Sequence, residues 1–179
     1  KEYRRQRQMC IRDRLSDRSG ELAASASGIA SEAERKAYAT ELNEMIKSAI
    51  EQVNTKFNGD YIFSGQKTDA SSFTAAGTAA KPTAVTFDNA GGDTTKVRVS
   101  DTLEISAGTS EAENAQLNTF INNLIALRDA METNSSTGIA SARTALIGSE
   151  DDIVNAISQN GAVQTRLEAL KQQLSLIHI

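Results

Sequence analysis

Residues 139–174 read IASARTALIGSEDDIVNAISQNGAVQTRLEALKQQL. Positions 139, 142, 146, 149, 153, 156, 160, 163, 167, 170 and 174 advance by alternating steps of three and four. They hold Ile139, Ala142, Leu146, Ser149, Ile153, Ala156, Asn160, Val163, Leu167, Leu170 and Leu174, and nine of these eleven are apolar. A repeat of that period places one apolar stripe along a long helix, the seam by which helices pack in bundles and coiled coils. Asn160 interrupts the stripe. It either sits buried in the seam, fixing register at a cost in stability, or lies exposed at a kink beside Gly161.

Working upstream, the same spacing recurs twice. Ser110 followed by Glu113 has the capping-box interval, in which each side chain serves the other's free backbone N–H. It opens a helix with the stripe Leu117, Phe120, Ile121, Leu124, Leu127 and Met131, which ends in a turn over 133–138. Ser31 and Glu34 repeat the interval. From Ser31 to Phe57 there is no Gly or Pro, and Leu42, Met45, Ile46, Ala49, Val53 and Phe57 form one apolar face. That predicts a helix of about 40 Å at 1.5 Å per residue. Gly28 separates it from a helical stretch over 15–27.

The segment between these helices follows different rules. Asn58-Gly59 is a turn signal, because both residues tolerate positive φ. Tyr61-Ile62-Phe63 reads as a short strand, closed by Ser64-Gly65. Residues 70–84 are mostly Ala, Thr, Ser and Gly and read as a loop. Val85-Thr86-Phe87, Lys96 to Val99 and Thr102 to Ser106 alternate as half-buried strands do, with a turn over 88–93. Five of the eight aromatics fall between Phe57 and Phe87, which predicts a small separate core for this insert.

The expected class is therefore α+β: an elongated antiparallel helical bundle, or coiled-coil rod, with a small β-rich insert. The rod comprises 15–57 and 111–174, and the insert 58–110. Residues 1–14 and 175–179 are set apart. Lys1, Arg4, Arg5, Arg7, Arg12 and Arg14 against Glu2 and Asp13 give the first segment a net charge of +4. A basic arm of this kind could bind nucleic acid or membrane. However, Arg7 to Arg14, like Leu174 to Ile179, resembles a translated sequencing adapter, so both ends are read as non-native.

Composition removes most chemistry. The protein has 179 residues, with 39% hydrophobic, 23% charged and a net charge of -4. That balance argues against nucleic acid as main partner. The one Cys excludes a disulfide framework within the chain and a Cys-rich metal site, and the one His, which like that Cys lies in the set-apart ends, argues against a His-based metal site or a His-dependent triad. No apolar run could span a bilayer. Gly65-Gln66-Lys67-Thr68 lacks the glycines of a phosphate loop. The acids between Asp88 and Asp93 miss calcium-loop spacing. Glu150-Asp151-Asp152 reads as a solvated face, and Asn134-Ser135-Ser136 matters as a glycosylation sequon only in a secretory pathway. No catalytic, cofactor or metal residue is assigned.

The run Asn54-Thr55-Lys56-Phe57-Asn58-Gly59-Asp60-Tyr61-Ile62-Phe63-Ser64-Gly65-Gln66-Lys67-Thr68 resembles the helix-to-insert junction of the hook-associated protein 3 family, within the flagellin superfamily. Asn54, Thr55, Gly59, Tyr61, Phe63 and Gly65 carry the match, with Phe73 a few residues on. Val85 to Phe87, Gly91 to Asp93, Val97 to Val99 and Leu103 to Ile105 resemble that family's insert strands. Gly161-Ala162-Val163 and Arg166-Leu167-Glu168 resemble its C-terminal helix. Flagellin itself usually reads Leu-Leu-x-Gly at the Tyr-Ile-Phe-Ser-Gly position.

The resemblance implies a structural subunit at the hook–filament junction of the bacterial flagellum, exported and extracellular, that works by packing and is not an enzyme. It implies self-association, contacts with the hook-side adaptor and flagellin, an export chaperone, and no cofactor, nucleic acid or membrane. The family's long terminal helices extend beyond the part matched, so the sequence is read as an interior fragment. The packing seam is assigned to Leu42, Ile46, Ala49, Val53, Leu146, Ile153, Val163, Leu167 and Leu170. Most of these should pack within the subunit, each large aliphatic contributing roughly 1.5–3 kcal/mol. The end of the last helix, at Leu167, Leu170 and Leu174, is expected to lack a partner. The alternatives are a filament subunit, or a secreted helical-rod binding module or adhesin.

Overall fold

The computed structural model describes residues 15–28, 30–88, 92, 96–100, 103–106 and 110–178. In sequence order the elements are α1 (Asp17–Ser27), α2 (Glu32–Val53), β1 (Lys56–Phe57), β2 (Asp60–Tyr61), β3 (Phe73–Gly77), β4 (Pro82–Phe87), β5 (Lys96–Ser100), β6 (Leu103–Ser106), α3 (Glu111–Glu132) and α4 (Ser136–His178). The fold is α+β: a helical rod carrying three antiparallel strand pairs, β1–β2, β3–β4 and β5–β6. The 43 residues of α4 span roughly 65 Å. Helix α3 packs against both α2 and α4.

Both capping boxes form. Ser31 is extended, its Oγ accepts from the Glu34 N–H at 3.3 Å, and Glu34 Oε2 accepts from the Ser31 N–H at 2.7 Å. Ser110 and Glu113 repeat this at 3.2 and 2.7 Å. Each box satisfies two backbone donors that a helix start would leave bare. Ser31→Ala and Ser110→Ala should each cost about 1 kcal/mol in urea unfolding. The Ser31 backbone N–H, and then its hydroxyl, hold the Glu34 carboxyl below the ordinary glutamate range. A depressed acid contributes stability that is present above its unfolded value and is lost as pH falls through the folded one. Acid titration of the Ser31→Ala variant should therefore show a flatter stability loss below the glutamate range than the unsubstituted protein.

Helix α2 stops at Val53, short of Phe57. The Asn54 side chain donates from Nδ2 to Phe73 O at 3.1 Å, and this bond ties the helix end to β3. The backbone then turns out of the helix, and Phe57 is 53% exposed in β1. Asn58 and Gly59 adopt φ of 54° and 95°, the two positive angles of a two-residue hairpin loop. Lys56 pairs with Tyr61 and Phe57 with Asp60. Of the anticipated strand at 61–63 only Tyr61 is extended; Ile62 and Phe63 lie in a turn and are buried.

Residues 70–84 are not all loop. Phe73–Gly77 pairs with Pro82–Phe87 in the register Phe73↔Phe87, Thr74↔Thr86, Ala75↔Val85 and Ala76↔Ala84. Thr and Ala carry too little apolar contrast to show this in the sequence. The pairing is fixed by the stronger strand opposite, and the Phe73 and Phe87 rings meet at 5.2 Å. The hairpin turns at Gly77, whose φ is 94°; a Cβ there would lie 2.8 Å from the Lys81 carbonyl oxygen and 2.9 Å from the Thr83 nitrogen. Gly77→Ala meets both positive-φ strain and a backbone clash, and should cost about 1–3 kcal/mol in urea unfolding.

The insert does not build a core of its own among the described residues. Ile62, Phe63, Phe73 and Val85 join one continuous cluster with Leu42, Ile46, Phe120, Leu124, Met131 and Ile139. Two-stranded hairpins bury too little to stand alone, so Phe63, Phe73 and Phe87 pack against the helical core while Phe57 stays exposed. The turn expected over 133–138 is shorter. Asn134 takes φ of 53°, Ser135 Oγ accepts from the Gly138 N–H at 3.1 Å, and α4 begins at Ser136. The turn expected over 88–93 falls mostly outside the described residues, as do 1–14.

Candidate assembly surface

The junction motif folds into a compact corner. Asn54 works in two directions: it donates to Phe73 O, and its Oδ1 accepts from Ser71 Oγ. The Ile62 N–H donates to Thr55 O at 3.2 Å and the Tyr61 N–H to Thr68 O at 2.9 Å. Thr68 Oγ1 donates to Asp60 Oδ1 at 3.0 Å. Lys56 Nζ lies 4.5 Å above the Tyr61 ring. Gly65, with φ of 62°, completes the turn that drives Phe63 into the core. The Phe63 carbonyl is met by Asn114 Nδ2 at 3.0 Å, at the start of α3. The motif therefore fixes where the rod ends and the strands begin.

A second set of residues, which sequence reasoning missed, straps the β3–β4 hairpin onto the helices. Asn122 donates from Nδ2 to Val85 O at 2.7 Å and accepts from the Val85 N–H at 3.0 Å. It pairs with β4 as another strand would. Arg128 is fully buried and donates from Nη1 to Pro82 O at 2.7 Å and to Asn43 Oδ1 at 3.0 Å. Asn43 Nδ2 donates to Ala80 O at 2.8 Å, and Lys81 pairs with Glu132. One signal was available: Asn114, Asn118 and Asn122 recur every four residues on α3. Asparagine is a poor helix former, so such a row marks a face with polar work to do.

Of the assigned seam, Leu42, Ile46, Ala49 and Val53 on α2 are buried, as are Leu146 and Ile153 on α4. The last three differ. Val163 is 38% exposed, and Leu167 and Leu170 are half-buried. The reason is geometric. Asn123 on α3 bonds to Ala145 and Ser149 on α4. Helix α3 begins only twelve residues before Asn123, so its pairing with α4 runs out about three turns past Ser149. The side chains of Asn160 and Leu174 lie outside the described residues.

Elsewhere the surface carries ordinary polar contacts. Arg18 binds Glu41 at 2.7 and 3.1 Å and Glu21 at 2.8 Å, joining α1 to α2. The Arg18 hydrogen bond holds Glu41 below its usual range. Both partners are well exposed, and such pairs stabilise little. Asp151 and Asp152 are exposed. Among the described residues no group of three or more His, Cys, Asp or Glu is placed to hold a metal ion. Among the same residues, no helix is long and apolar enough to cross a membrane.

Among the described residues, a rod of long helices carries a strapped-on strand insert, and α4 runs on past the start of α3. The protein superposes on the crystal structure of Bacillus cereus FlgL with a TM-score of 0.79, over 97% of its own length and 82% of that structure's, at 22% identity. It superposes on a putative flagellar hook-associated protein from Vibrio parahaemolyticus with a TM-score of 0.76, over 96% of its own length and 79% of that structure's, at 17% identity. No family model and no curated protein matches the sequence. At these identities it is the fold that is shared.

Proposed function

We propose that the protein is a structural subunit of the bacterial flagellum at the hook–filament junction, acting by helix packing and polymeric assembly and not by catalysis. The observation that carries this reading is the near-complete superposition on FlgL, helices and insert together. The junction motif from Asn54 to Gly65 supports it, since it forms one bonded corner between rod and strands. In this reading residues 15–57 and 111–174 form the rod, and 58–110 the insert. The rod supplies stiff lengthwise contacts, and the insert projects outward. Partners are further copies of the same subunit, the hook-side adaptor and flagellin, with a chaperone during export. The working location is outside the cell.

Immunogold labelling of isolated hook–filament particles with antibody against this protein tests the proposal. The expected result is a single labelled band where hook meets filament. Label along the whole filament would instead make it a filament subunit. Label on the cell surface away from flagella would favour an adhesin.

A further inference from the structure

The sequence contains two Asn-Gly pairs, Asn58-Gly59 and Asn160-Gly161. The fold treats them oppositely. Asn58 and Gly59 are both exposed at the tip of β1–β2. That hairpin has only two residue pairs, so opening it breaks few bonds. Nothing lies within 4 Å of where a Gly59 Cβ would stand. Among the described residues the Gly59 N–H has no hydrogen-bond acceptor. Gly161, by contrast, lies well inside α4, where a backbone N–H is engaged by the carbonyl four residues earlier.

We propose that Asn58 is a site of spontaneous backbone modification, converting through a cyclic imide to aspartyl and isoaspartyl forms, and that the helix protects Asn160 from the same reaction. Solvent base removes the Gly59 amide proton, and the nitrogen attacks Asn58 Cγ. A new C–N bond forms to close the ring; the bond from Asn58 Cγ to Nδ2 breaks, and ammonia leaves with a proton from water. Water then adds to either imide carbonyl. Opening at one leaves an ordinary aspartyl link, and opening at the other routes the backbone through Cβ and Cγ of residue 58. No oxidant or reductant is needed. Glycine is required because any Cβ at position 59 would crowd the attacking nitrogen, and because glycine lets that peptide rotate freely. Asparagine's heat lability is general; here the fold decides which copy is exposed to it.

Both products alter the corner described above. The new carboxylate stands two residues from Asp60 and from Lys56, whose ammonium lies over Tyr61. The isoaspartyl form also lengthens the backbone inside a turn that fits two residues only.

The test is incubation of the full-length protein at mildly alkaline pH and physiological temperature, followed by peptide mapping with mass spectrometry. The Asn58 peptide should convert roughly tenfold or more faster than the Asn160 peptide, since helix opening must precede reaction at the latter. In concentrated urea the two rates should converge, because the Asn-Gly pair is the same. Asn58→Gln should abolish conversion at that position, with a small loss of stability in urea because residue 58 holds a positive φ that glutamine tolerates less well than asparagine. Equal rates in the folded protein, or an Asn58 peptide that stays unconverted while the Asn160 peptide reacts, would overturn the proposal. Rates that stay apart in urea would also overturn it, because the difference would then not come from the fold.

Discussion

Arg128→Ala is expected to lower the stability of the protein by roughly 3–5 kcal/mol, among the largest effects of any single substitution. Two terms add. The first is volume: Arg128 is 0% exposed and is among the largest fully buried side chains. Truncation leaves a cavity between α2, α3 and β4. The second is polar. Pro82 O loses its 2.7 Å donor and Asn43 Oδ1 its 3.0 Å donor. A buried acceptor stripped of its partner costs about 1–3 kcal/mol. Asp129, which binds Nη2 at 2.7 Å, is half exposed, so water can solvate it and its loss adds little. Arg128→Met separates the two terms, because it keeps most of the volume and removes the donors. It should cost about 1–3 kcal/mol. A methionine variant as stable as the parent in urea would show that the Arg128 donors add nothing to the hold that Phe73, Val85 and Asn122 already have on the hairpin. Arg128→Lys should not rescue fully, since one ammonium cannot reproduce the planar fork that reaches Pro82, Asn43 and Asp129 together.

Arg128 also shows where sequence reading stops. The elements that are legible are those whose cause is local. Ser31 with Glu34, Ser110 with Glu113, and Asn58 with Gly59 act over three residues or fewer, and each forms as its spacing demands. The α4 stripe is legible for the same reason, because helical period is a property of neighbours. What sequence does not reveal is decided between distant segments. Arg128 meets Pro82 across 46 residues and Asn43 across 85. Asn122 meets Val85 across 37. Strand β3 owes its state to Val85, Thr86 and Phe87 opposite, not to its own Thr and Ala. Phe57 fits the α2 stripe by spacing, yet Asn54 ends the helix first by bonding to a strand 19 residues on. Among the seam positions, periodicity places Val163, Leu167 and Leu170 on the same stripe of α4 as Leu146 and Ile153. It does not report how far α3 runs beside them.

Phe63→Ala should be comparably severe, at roughly 3–5 kcal/mol, and it tests the junction corner. Phe63 is 1% exposed and lies in the common core, although it belongs to a turn of the insert. Its ring is thus an apolar bridge from the strand region to the helices, and its carbonyl is a polar one, through Asn114 Nδ2 at 3.0 Å. Asn114 is itself buried, so Asn114→Ala leaves the carbonyl unpaired and should cost about 1–3 kcal/mol. The two sites touch, so their effects should not add; a coupling of about 0.5–3 kcal/mol is expected from the double-mutant cycle. The neighbouring aromatics supply the control. Phe57 is 53% exposed and its replacement by alanine should stay within about 0.5 kcal/mol. Tyr61, half-buried beneath Lys56, should fall between the two. Equal costs at Phe57 and Phe63 would mean that the corner contributes by composition and not by packing. If the order holds, hydrogen exchange should show the consequence directly. In the Phe63→Ala variant the corner amides of Tyr61, Ile62 and Lys67, bonded to Thr68, Thr55 and Ser64, should lose protection before those of α3, because the helix keeps Leu117, Phe120 and Leu124 while the corner has lost its ring.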